Sequence, residues 1–410
     1  MIRKKYTYKY SRRKALTVLN RNFISKDQSN EADFIRTREF INNSFNEYES
    51  TNMLEKVDYA FMIPTRASRT DLEYWEEVYE FLPALKHMKP EEAFKVLSSL
   101  PPFRIEMYGK QGEGSKGVLI FTPIFNDMLQ DFKNKWLLLR FARKRANDAA
   151  NFAHERFGVK FIGLGATIPK ITNYGKAIKA PVITTTGHAG TAYLLEATVI
   201  KVFEELYSGV TQLSLGFIGG GAIGSASMQL IAKRYPHAKF YIHDKRKSVN
   251  LKNYKLLSQN GFNVQVSDSN KVLVESCDVI VSAITTKISV DGWDLTNKAI
   301  IDDSQPGSFK KVEVDNAGGK LIWVVGHDYS KTRFATRRSG YSFGPHGLNS
   351  ESDLWGCEAE VASIAEVNNP GLAVSGPVSS QQVEDIGEIF TKLGIGVANY
   401  QSHGELLTLD

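Results

Sequence analysis

The spacing of apolar residues predicts helices in the first part of the chain. Apolar positions recur at helical intervals over residues 71–88 and 91–100, and a longer amphipathic helix is predicted over 125–157. Residues 103–108 alternate apolar and polar side chains, which predicts a strand, and two prolines precede it. The polar residues before position 55 show helical spacing only around 31–46.

Short apolar strands alternate with helices farther along the chain. The predicted strands lie at 160–165, 181–187, 213–218, 239–244, 277–283, 299–303 and 320–326, and the predicted helices at 191–207 and 225–233. A glycine- and arginine-rich stretch at 326–349 is predicted to be a loop, and helix is expected to return from residue 350. Such alternation is typical of an α/β fold with a doubly wound parallel sheet.

One of these strands leads directly into a glycine-rich turn. Residues 213–218 are followed by Gly219, Gly221 and Gly224, and Asp244 stands twenty positions beyond the last glycine. In this pattern the first glycine permits a tight turn, the second lets the backbone approach a pyrophosphate, and the third allows close packing of helix on strand. The pattern, followed by a helix and a second strand, predicts a Rossmann-type dinucleotide site.

The residues after the turn are candidates for binding NAD(P)H. Ala222 and Ile223 begin the helix, where unpaired N–H groups and the helix dipole favour a phosphate. Asp244 is suited to the ribose hydroxyls of NAD, whereas Lys245 and Arg246 could hold a 2′-phosphate. The sequence therefore leaves NADH and NADPH both open. We assign no metal site.

These predictions divide the chain into four parts. Residues 1–55 form a basic and polar extension, 56–190 a substrate-binding α/β domain, 191–345 the Rossmann NAD(P)-binding domain, and 346–410 a C-terminal helical segment that carries Cys357. The predicted fold is thus a doubly wound parallel Rossmann sheet with a separate α/β substrate domain and a C-terminal helical segment.

The composition and charge narrow the class of protein. The 410 residues are 42% hydrophobic and 23% charged, as in a soluble globular protein. No apolar run approaches the ~20 residues that span a bilayer, and the first residues lack the apolar core of a secretory signal. We therefore expect a cytoplasmic protein with no integral membrane segment and no nucleic-acid partner. The sequence allows an oligomer.

The net charge of +6 is concentrated in two places. One is the first 22 residues, for which a solvated tail is the favoured interpretation. The other is a later cluster that could meet an acidic partner or a phosphate group. Its members are Lys331, Arg333, Arg337 and Arg338.

The two cysteines have different surroundings. Cys277 begins an apolar strand, which predicts an inert, buried thiol. Cys357 follows Asp353, a candidate N-cap, and falls in or near a first helical turn, where the helix dipole favours a thiolate. Glu358 and Glu360 act against that ionisation. A reactive thiol beside a hydride donor would suit acyl transfer to cysteine followed by reduction.

Several segments occur together in an order that is known from one family. They are Thr-Thr-Gly with a following Thr-Ala-Tyr at 185–193, the glycine turn at 219–224, Ile-Asp at 301–302, and Cys-Glu-Ala-Glu at 357–360. In these segments, which lie within roughly 158–366, the chain resembles the cyanobacterial long-chain acyl-carrier-protein reductases. Members of that family make fatty aldehydes from acyl thioesters.

The resemblance implies that Cys357 accepts the acyl group of a thioester, which acyl-carrier protein or coenzyme A would deliver. His188 and Thr191 are then candidate donors to the oxyanion, although His188 is equally suited to capping its turn. His327 and His346 are weaker candidates for substrate contact, and Arg337 with Arg338 could hold the phosphate of a phosphopantetheine arm.

The chain also departs from that family. His243-Asp244 replaces an alanine-arginine pair, and His188 and Gly190 stand where the family has asparagine and histidine.

Three alternatives remain open. Shikimate dehydrogenases share the predicted architecture, and Thr167-Ile-Pro-Lys170 resembles part of their Thr-x-Pro-x-Lys motif, but Thr185-Thr186-Gly187 lacks their acidic partner. Glutamyl-tRNA reductases pair a thioester cysteine with a nicotinamide, yet their cysteine precedes the nucleotide domain. The third alternative is a non-catalytic dinucleotide-binding module in which Cys357 is merely packed.

Overall fold

The computed structural model describes residues 10–22, 30–65, 75–109, 114–125, 135–210, 212–305, 307–330, 350 and 352–408. These residues form two compact units. The first comprises the described residues up to Thr186 together with Ile364–Ser375. The second comprises the described residues of Gly187–Lys331, Leu348–Ser363 and Gly376–Asp410. No helix of the described residues is both long enough and apolar enough to cross a membrane.

The first unit is built around a five-stranded sheet. Its elements are α1 (Arg12–Asn22), α2 (Glu31–Glu49), β1 (Tyr59–Thr65), α3 (Trp75–Phe81), α4 (Pro90–Leu97), β2 (Phe103–Tyr108), β3 (Gly117–Phe125), α5 (Lys135–Phe157), β4 (Phe161–Leu164), α6 (Ile168–Ile171) and β5 (Ile183–Thr185). The strand order is β2-β3-β1-β4-β5, and β2 alone runs antiparallel to its neighbour.

Two central strands of this sheet are absent from the sequence-based prediction. Every residue of β1 and β3 is buried, because both faces of a central parallel strand are covered. Such strands show no alternation of polar and apolar residues, so the pattern did not reveal them. The helix predicted over 125–157 is wrong at Phe125, which ends β3, whereas α5 covers Lys135–Phe157.

The helix predicted over 71–88 is also shorter in the structure. It ends at Phe81, and Pro83–His87 forms a 3₁₀ helix, because proline cannot continue the hydrogen-bond ladder of an α-helix.

The second unit is built around a six-stranded sheet. Its elements are α7 (His188–Leu206), β6 (Ser214–Ile218), α8 (Ala222–Arg234), β7 (Lys239–His243), α9 (Lys247–Ser258), β8 (Asn263–Val266), α10 (Asn270–Glu275), β9 (Val279–Ser282), β10 (Ala299–Asp302), α11 (Lys311–Asn316), β11 (Lys320–Trp323), β12 (Gly326–Asp328), β13 (Asp353–Leu354), the start of α12 (Gly356–Glu366), α13 (Ser380–Leu393), β14 (Ile395–Val397), β15 (Gln401–Ser402) and β16 (Glu405–Leu406).

The six strands run parallel in the order β11-β10-β9-β6-β7-β8. The predicted α/β class and doubly wound parallel Rossmann sheet are confirmed. The strand order reverses between β6 and β9, and ligands of such sheets bind at the carboxyl ends of the strands beside that point. The glycine turn after β6 and the residues after β9 and β10 lie at this edge.

One face of the six-stranded sheet packs into an apolar core. Ile218, Ile280, Ile300 and Leu321 share this core with Leu273 of α10 and are almost fully buried. Cys277 also lies in it, 1% exposed, and burial raises the pKa of its thiol to about 12. The predicted inert role of Cys277 agrees with this environment. Helix α7 contacts both β10 and α8.

The C-terminal part contains more strand than predicted. Gly326–Asp328 is strand β12 and not the start of a loop, because it pairs with β13 on one side and β14 on the other. Residues 353–354 are strand and not helix, and α12 begins only at Gly356. The predicted C-terminal helical segment thus comprises α12 and α13 with short strands around them.

Candidate functional site

The glycine turn after β6 forms an open cradle. Gly219 has a φ of +96°, which glycine adopts without strain. A Cβ atom at Gly224 would lie 2.1 Å from the carbonyl oxygen of Gly219, so only glycine lets α8 approach the strand so closely. Apart from Gly221 and its chain neighbours, no atom of the described residues lies within 4 Å of a Cβ position at Gly221. This open space lies beside the start of α8, where the N–H groups of Ala222 and Ile223 have no partners within the helix, as a pyrophosphate site requires.

Asp244 follows β7 at the edge of this cradle. Its carboxylate accepts hydrogen bonds from the Gly220 N–H at 3.1 Å and from the Arg246 N–H, Nε and Nη2, each at 2.9 Å. Burial alone would raise the pKa of Asp244, but the hydrogen bonds from Arg246 and Gly220 outweigh it and hold the pKa below its ordinary value. An ionised Asp244 paired with Arg246 is compatible with either a ribose hydroxyl or a 2′-phosphate.

Two asparagines of α9 brace this region, and sequence reasoning missed both. Asn250 donates to the carbonyl oxygen of Asp244 at 2.8 Å and accepts from its N–H at 2.6 Å. Asn253, which is buried, donates to the carbonyl oxygen of Gly220 at 3.1 Å and accepts from the Ser225 hydroxyl at 2.8 Å. The sequence shows only that polar residues lie on the inner face of this helix. That position does not by itself indicate which groups their side chains bind.

Cys357 is the second residue of α12, and its backbone packs against the start of α7. A Cβ atom on Gly187 would lie 2.1 Å from the Cβ of Cys357, and one on Gly356 would lie 2.6 Å from the Cα of Thr191. Because these two glycines have no side chains, the two helix starts meet backbone to backbone. The structure thereby places Cys357 and Thr191 at the junction of the two helices, and His188 follows Gly187 at the start of α7.

Glu360, on α12, links the starts of α7 and α12 through hydrogen bonds. It is completely buried and accepts hydrogen bonds from the Gly187 N–H at 3.1 Å and the Gly190 N–H at 2.8 Å. These are donors from the first turn of α7, which would otherwise lack partners within the helix. From the sequence, Glu360 is recognised only as an acidic residue close to Cys357. The hydrogen bond that joins α7 to α12 connects residues 173 positions apart, and sequence spacing does not reveal such a contact.

The charge environment of Cys357 opposes ionisation. Burial raises the pKa of the thiol, and the carboxyl groups of Glu358, Asp303 and Glu360 raise it further. The expected thiolate is therefore wrong for this structure, because burial and three acidic neighbours outweigh the dipole of one helix start. Cys357 is nevertheless only half-buried, whereas Cys277 is sealed in the core.

His188 begins α7 and is also mostly buried. Burial lowers the pKa of His188 to about 4, so its imidazole is neutral at pH 7. A neutral imidazole still carries one N–H group that can donate a hydrogen bond, so the role of His188 as a donor to an oxyanion stays a prediction. Thr191 is buried, and its N–H donates to the Gly187 carbonyl oxygen at 3.1 Å within the helix.

Asp353 does not cap α12, contrary to the prediction. It lies in β13, where its carboxylate accepts from the Ser350 N–H at 3.1 Å and the Gln401 side chain at 2.8 Å. Its other oxygen lies 2.6 Å from Nδ1 of His327. This carboxylate holds β12, β13 and β15 in register and is not available to the start of α12. His346, Arg337 and Arg338 lie outside the described residues.

In the part of the chain that the structure describes, no group of three or more His, Cys, Asp or Glu side chains is arranged to hold a metal ion. Two neighbouring carboxyls that the sequence analysis did not assign lie at the end of β10, Asp302 and Asp303. The second of them is among the groups that raise the pKa of Cys357.

No protein-family description matches this chain, and no curated protein matches it in sequence. Solved structures with a similar arrangement include L-tryptophan dehydrogenase from Nostoc punctiforme, with 10% identity and a TM-score of 0.35 over 84% of this chain and 82% of that one. Shikimate dehydrogenase from Aquifex aeolicus has 11% identity and a TM-score of 0.30 over 80% and 97%.

A third similar structure is the Thermococcus litoralis Δ1-pyrroline-2-carboxylate reductase, solved with NADH and L-proline. It has 17% identity and a TM-score of 0.25 over 28% of this chain, which spans only 36% of that protein's length. Likeness of this degree assigns no activity.

Proposed function

We propose that this protein is an NAD(P)H-dependent oxidoreductase. The proposal is supported by the cradle itself: a glycine turn with open space above Gly221, the free first turn of α8, and an ionised Asp244 at the end of the next strand. Ala222 and Ile223 would hold the pyrophosphate, and Asp244 or Arg246 the adenosine ribose. The bound cofactor would supply a hydride. The choice between NADH and NADPH is left to experiment.

We further propose that the substrate is an acyl thioester, carried by acyl-carrier protein or coenzyme A, and that the product is an aldehyde. The observation that carries this proposal is the half-buried Cys357 held against the start of α7 in the same unit as the cradle. The Cys357 sulfur bonds to the carbonyl carbon, the bond from that carbon to the carrier sulfur breaks, and a proton follows the departing thiol.

Two residues at the start of α7, His188 and Thr191, would act on the developing oxyanion. Exchange of one thioester for another is close to isoenergetic, so the protein needs to supply position and charge stabilisation more than driving force. The neutral ring of His188 and the hydroxyl of Thr191 are the side chains suited to donate. Because the resting thiol is protonated, attack by Cys357 also requires a group that accepts its proton.

The test is to incubate the protein with acyl-coenzyme A or acyl-carrier protein in the absence of cofactor and to look for acylated Cys357 by mass spectrometry. NADH or NADPH is then added, and aldehyde release and loss of the adduct are followed together. Cys277→Ser is the matched control and should behave as the wild type, because Cys277 is sealed in the core. A protein that binds NAD(P)H but never acquires an adduct would refute this function.

An alcohol dehydrogenase of the shikimate-dehydrogenase type is the second candidate. The observation that favours it is the protonated, acid-surrounded state of Cys357, which makes the thiol a poor nucleophile at rest. In that case Cys357→Ala would retain full NAD(P)-dependent oxidation of a hydroxy acid. If oxidation is absent in the wild type as well, while cofactor still binds, a non-catalytic dinucleotide-binding module is the remaining alternative.

A further inference from the structure

The loop after β9 packs directly against the glycine turn after β6. A Cβ atom on Gly219 would lie 2.5 Å from Cγ2 of Ile284 and 2.6 Å from the carbonyl oxygen of Ala283. The Ala283 N–H donates to the Ile218 carbonyl oxygen at 3.0 Å, which continues the pairing of β9 with β6 beyond the two strands. The partly exposed side chain of Ile284 therefore lies beside the turn at the carboxyl edge of the sheet.

A serine from the loop after β10 fixes the backbone at Ile284. The Ile284 N–H donates to the hydroxyl oxygen of Ser304 at 3.2 Å. The Ser304 N–H in turn donates to Oδ1 of Asp302, the last residue of β10, at 3.0 Å. Ser304 and Asp302 are almost fully buried. Ile284 is thus connected to a buried carboxylate through one serine.

The same carboxylate holds the rest of the loop after β10. Asp302 accepts from the Ser308 N–H at 2.7 Å and from the Ser308 hydroxyl at 2.9 Å. The Ser308 hydroxyl oxygen lies 2.7 Å from that of Ser282, which ends β9. The Ser308 carbonyl oxygen accepts from the Ile288 N–H at 2.8 Å. Asp302 and its serines therefore tie the loop after β9 to the loop after β10.

The side of the cradle on which this network lies decides which half of a dinucleotide it faces. Strands β7 and β9 flank β6 on opposite sides, and Asp244, the residue suited to the adenosine ribose, follows β7. The pyrophosphate is the midpoint of NADH and NADPH. With the pyrophosphate at the start of α8 and the adenosine at Asp244, the nicotinamide half extends toward β9 and Ile284.

We propose that Ile284 packs against the nicotinamide half of the cofactor and that Asp302 is the positioning residue that holds Ile284 in place through Ser304. This inference rests on the NAD(P)H-dependent function proposed above and assigns side chains to the half of the cofactor that the glycine cradle does not hold. Because the hydrogen bonds of Asp302 are formed in the free protein, the loop is ordered before the cofactor arrives, and binding loses less conformational entropy.

The test compares the affinities of NADH, NADPH and ADP by calorimetric titration. Asp302→Asn keeps the shape of the side chain but turns an amide N–H₂ group toward a donor of Ser304 or Ser308. Both dinucleotides should bind about 10-fold more weakly to this variant. ADP, which lacks the nicotinamide half, should bind as it does to the wild type. A merely structural role of Asp302 would not separate ADP from the dinucleotides.

Asp278→Asn is the matched control. Asp278 precedes β9 at the opposite end of the same sheet, where its carboxylate accepts from the Ser214 N–H at 3.0 Å. This variant should lower the free energy of unfolding, because a hydrogen bond is lost, and should leave all three affinities unchanged.

Two further variants keep the test decisive if Asp302→Asn does not fold. Ile284→Ala removes the partly exposed side chain itself and should weaken NADH and NADPH about 10-fold while sparing ADP. Ser304→Ala removes the acceptor of the Ile284 N–H and should act in the same direction.

The outcomes separate this inference from the proposed function. Wild-type affinity for NADH and NADPH in folded Ile284→Ala and Asp302→Asn would overturn the inference and leave the function intact. Equal weakening of ADP and both dinucleotides by Asp302→Asn would also overturn it, because Asp302 would then support the cradle as a whole. A wild-type protein that binds neither NADH nor NADPH would overturn the proposed function and this inference together.

Discussion

Gly187 and Cys357 are packed so tightly that a Cβ atom on Gly187 would lie 2.1 Å from the Cβ of Cys357. Gly187 also has a φ of +73°, in the left-handed region that side chains disfavour. The position of the cysteine therefore depends on the absence of a side chain at residue 187, 170 positions earlier in the chain, and on a backbone conformation that glycine adopts freely.

Gly187→Ala should consequently destabilise the second unit and displace Cys357. Backbone strain alone should lower the free energy of unfolding by about 1–3 kcal/mol, and the clash with Cys357 should add to that loss. Urea unfolding measures the first effect, and the rate of Cys357 alkylation reports the second. Gly209→Ala is the control, because no atom of the described residues beyond its chain neighbours lies within 4 Å of a Cβ there. Equal stability of the two variants would contradict the predicted contact.

Glu360→Gln should weaken the junction of α7 and α12. The carboxylate accepts two N–H groups, whereas an amide offers one oxygen and turns its own N–H₂ group toward the second donor. Loss of one buried hydrogen bond should lower the free energy of unfolding by about 1–3 kcal/mol. Glu384→Gln, an exposed carboxylate 4.0 Å from Lys233, should change it by no more than about 0.5 kcal/mol.

The same Glu360→Gln variant should alkylate at Cys357 at lower pH than the wild type. Glu360 is one of the groups that raise the pKa of the thiol, so removal of its charge must lower that pKa. An unchanged alkylation profile in a folded variant would show that Glu360 does not act on the sulfur.

Because His188 is buried, we expect the free energy of unfolding to fall in mild acid. Burial lowers its pKa to about 4 in the folded state, below the unfolded value of 6.5, so the unfolded chain binds the proton first. The contribution of the neutral His188 side chain to the free energy of unfolding is complete above pH 6.5 and is lost as the pH falls toward 4. Between pH 7 and about 4.5, the wild type should lose about 2–3 kcal/mol more than His188→Gln. His237→Gln, at an exposed histidine, should follow the wild type.

The nucleotide cradle could be predicted from sequence because its signal is local. Gly219 and Gly224 each meet a steric requirement of the turn, and Gly221 between them leaves open space. The strand before these glycines and the helix after them also have clear sequence patterns. The same holds for α2, α7 and β2. The helical spacing of apolar residues in α2 and α7, and the alternation of apolar and polar residues in β2, are also visible within a few neighbouring residues. The buried strands β1 and β3 gave no such signal. Both faces of each strand are covered by other parts of the fold, so their residues do not alternate between polar and apolar.

The environment of Cys357 could not be predicted in this way. The fragments at 185–193 and 357–360 stood out through resemblance, but neither indicates that their backbones meet. The pKa of the thiol depends on burial and on Asp303, which comes from a third segment. The helix start and the neighbouring Glu358 and Glu360 are visible in the sequence, whereas burial and the contribution of Asp303 are not. Asp353 likewise looked like a cap, but it binds partners at Ser350 and Gln401.

Gly221→Val should abolish cofactor binding without harming the fold. The Cβ position at Gly221 has no other atom of the described residues within 4 Å beyond its chain neighbours, so the side chain should fit in the free protein but would occupy the space proposed for the pyrophosphate. Loss of two charge-assisted hydrogen bonds, at about 1.5–3 kcal/mol each, should weaken NADH and NADPH by at least about 100-fold. Fluorescence titration measures the affinity, and an unchanged melting temperature confirms the fold.

A variant that bound either nucleotide normally would show that the phosphates lie elsewhere. Gly224→Ala is the instructive contrast. Its Cβ would lie 2.1 Å from the Gly219 carbonyl oxygen, so it should lose stability as well as affinity.

The Asp244–Arg246 pair makes a prediction about cofactor preference. Arg246 is 58% exposed and paired to Asp244, so it can turn toward a 2′-phosphate with little disturbance of the core. If it does, Arg246→Ala should weaken NADPH by about 10- to 100-fold, because a charge-assisted contact is lost, and should leave NADH unchanged. Lys252→Ala removes an equal charge from the exposed side of α9. It controls for the effect of the overall positive charge on nucleotide binding. Equal weakening of both nucleotides by Arg246→Ala would instead mean that Arg246 serves only to hold Asp244, and that Asp244 contacts the ribose hydroxyls of NADH.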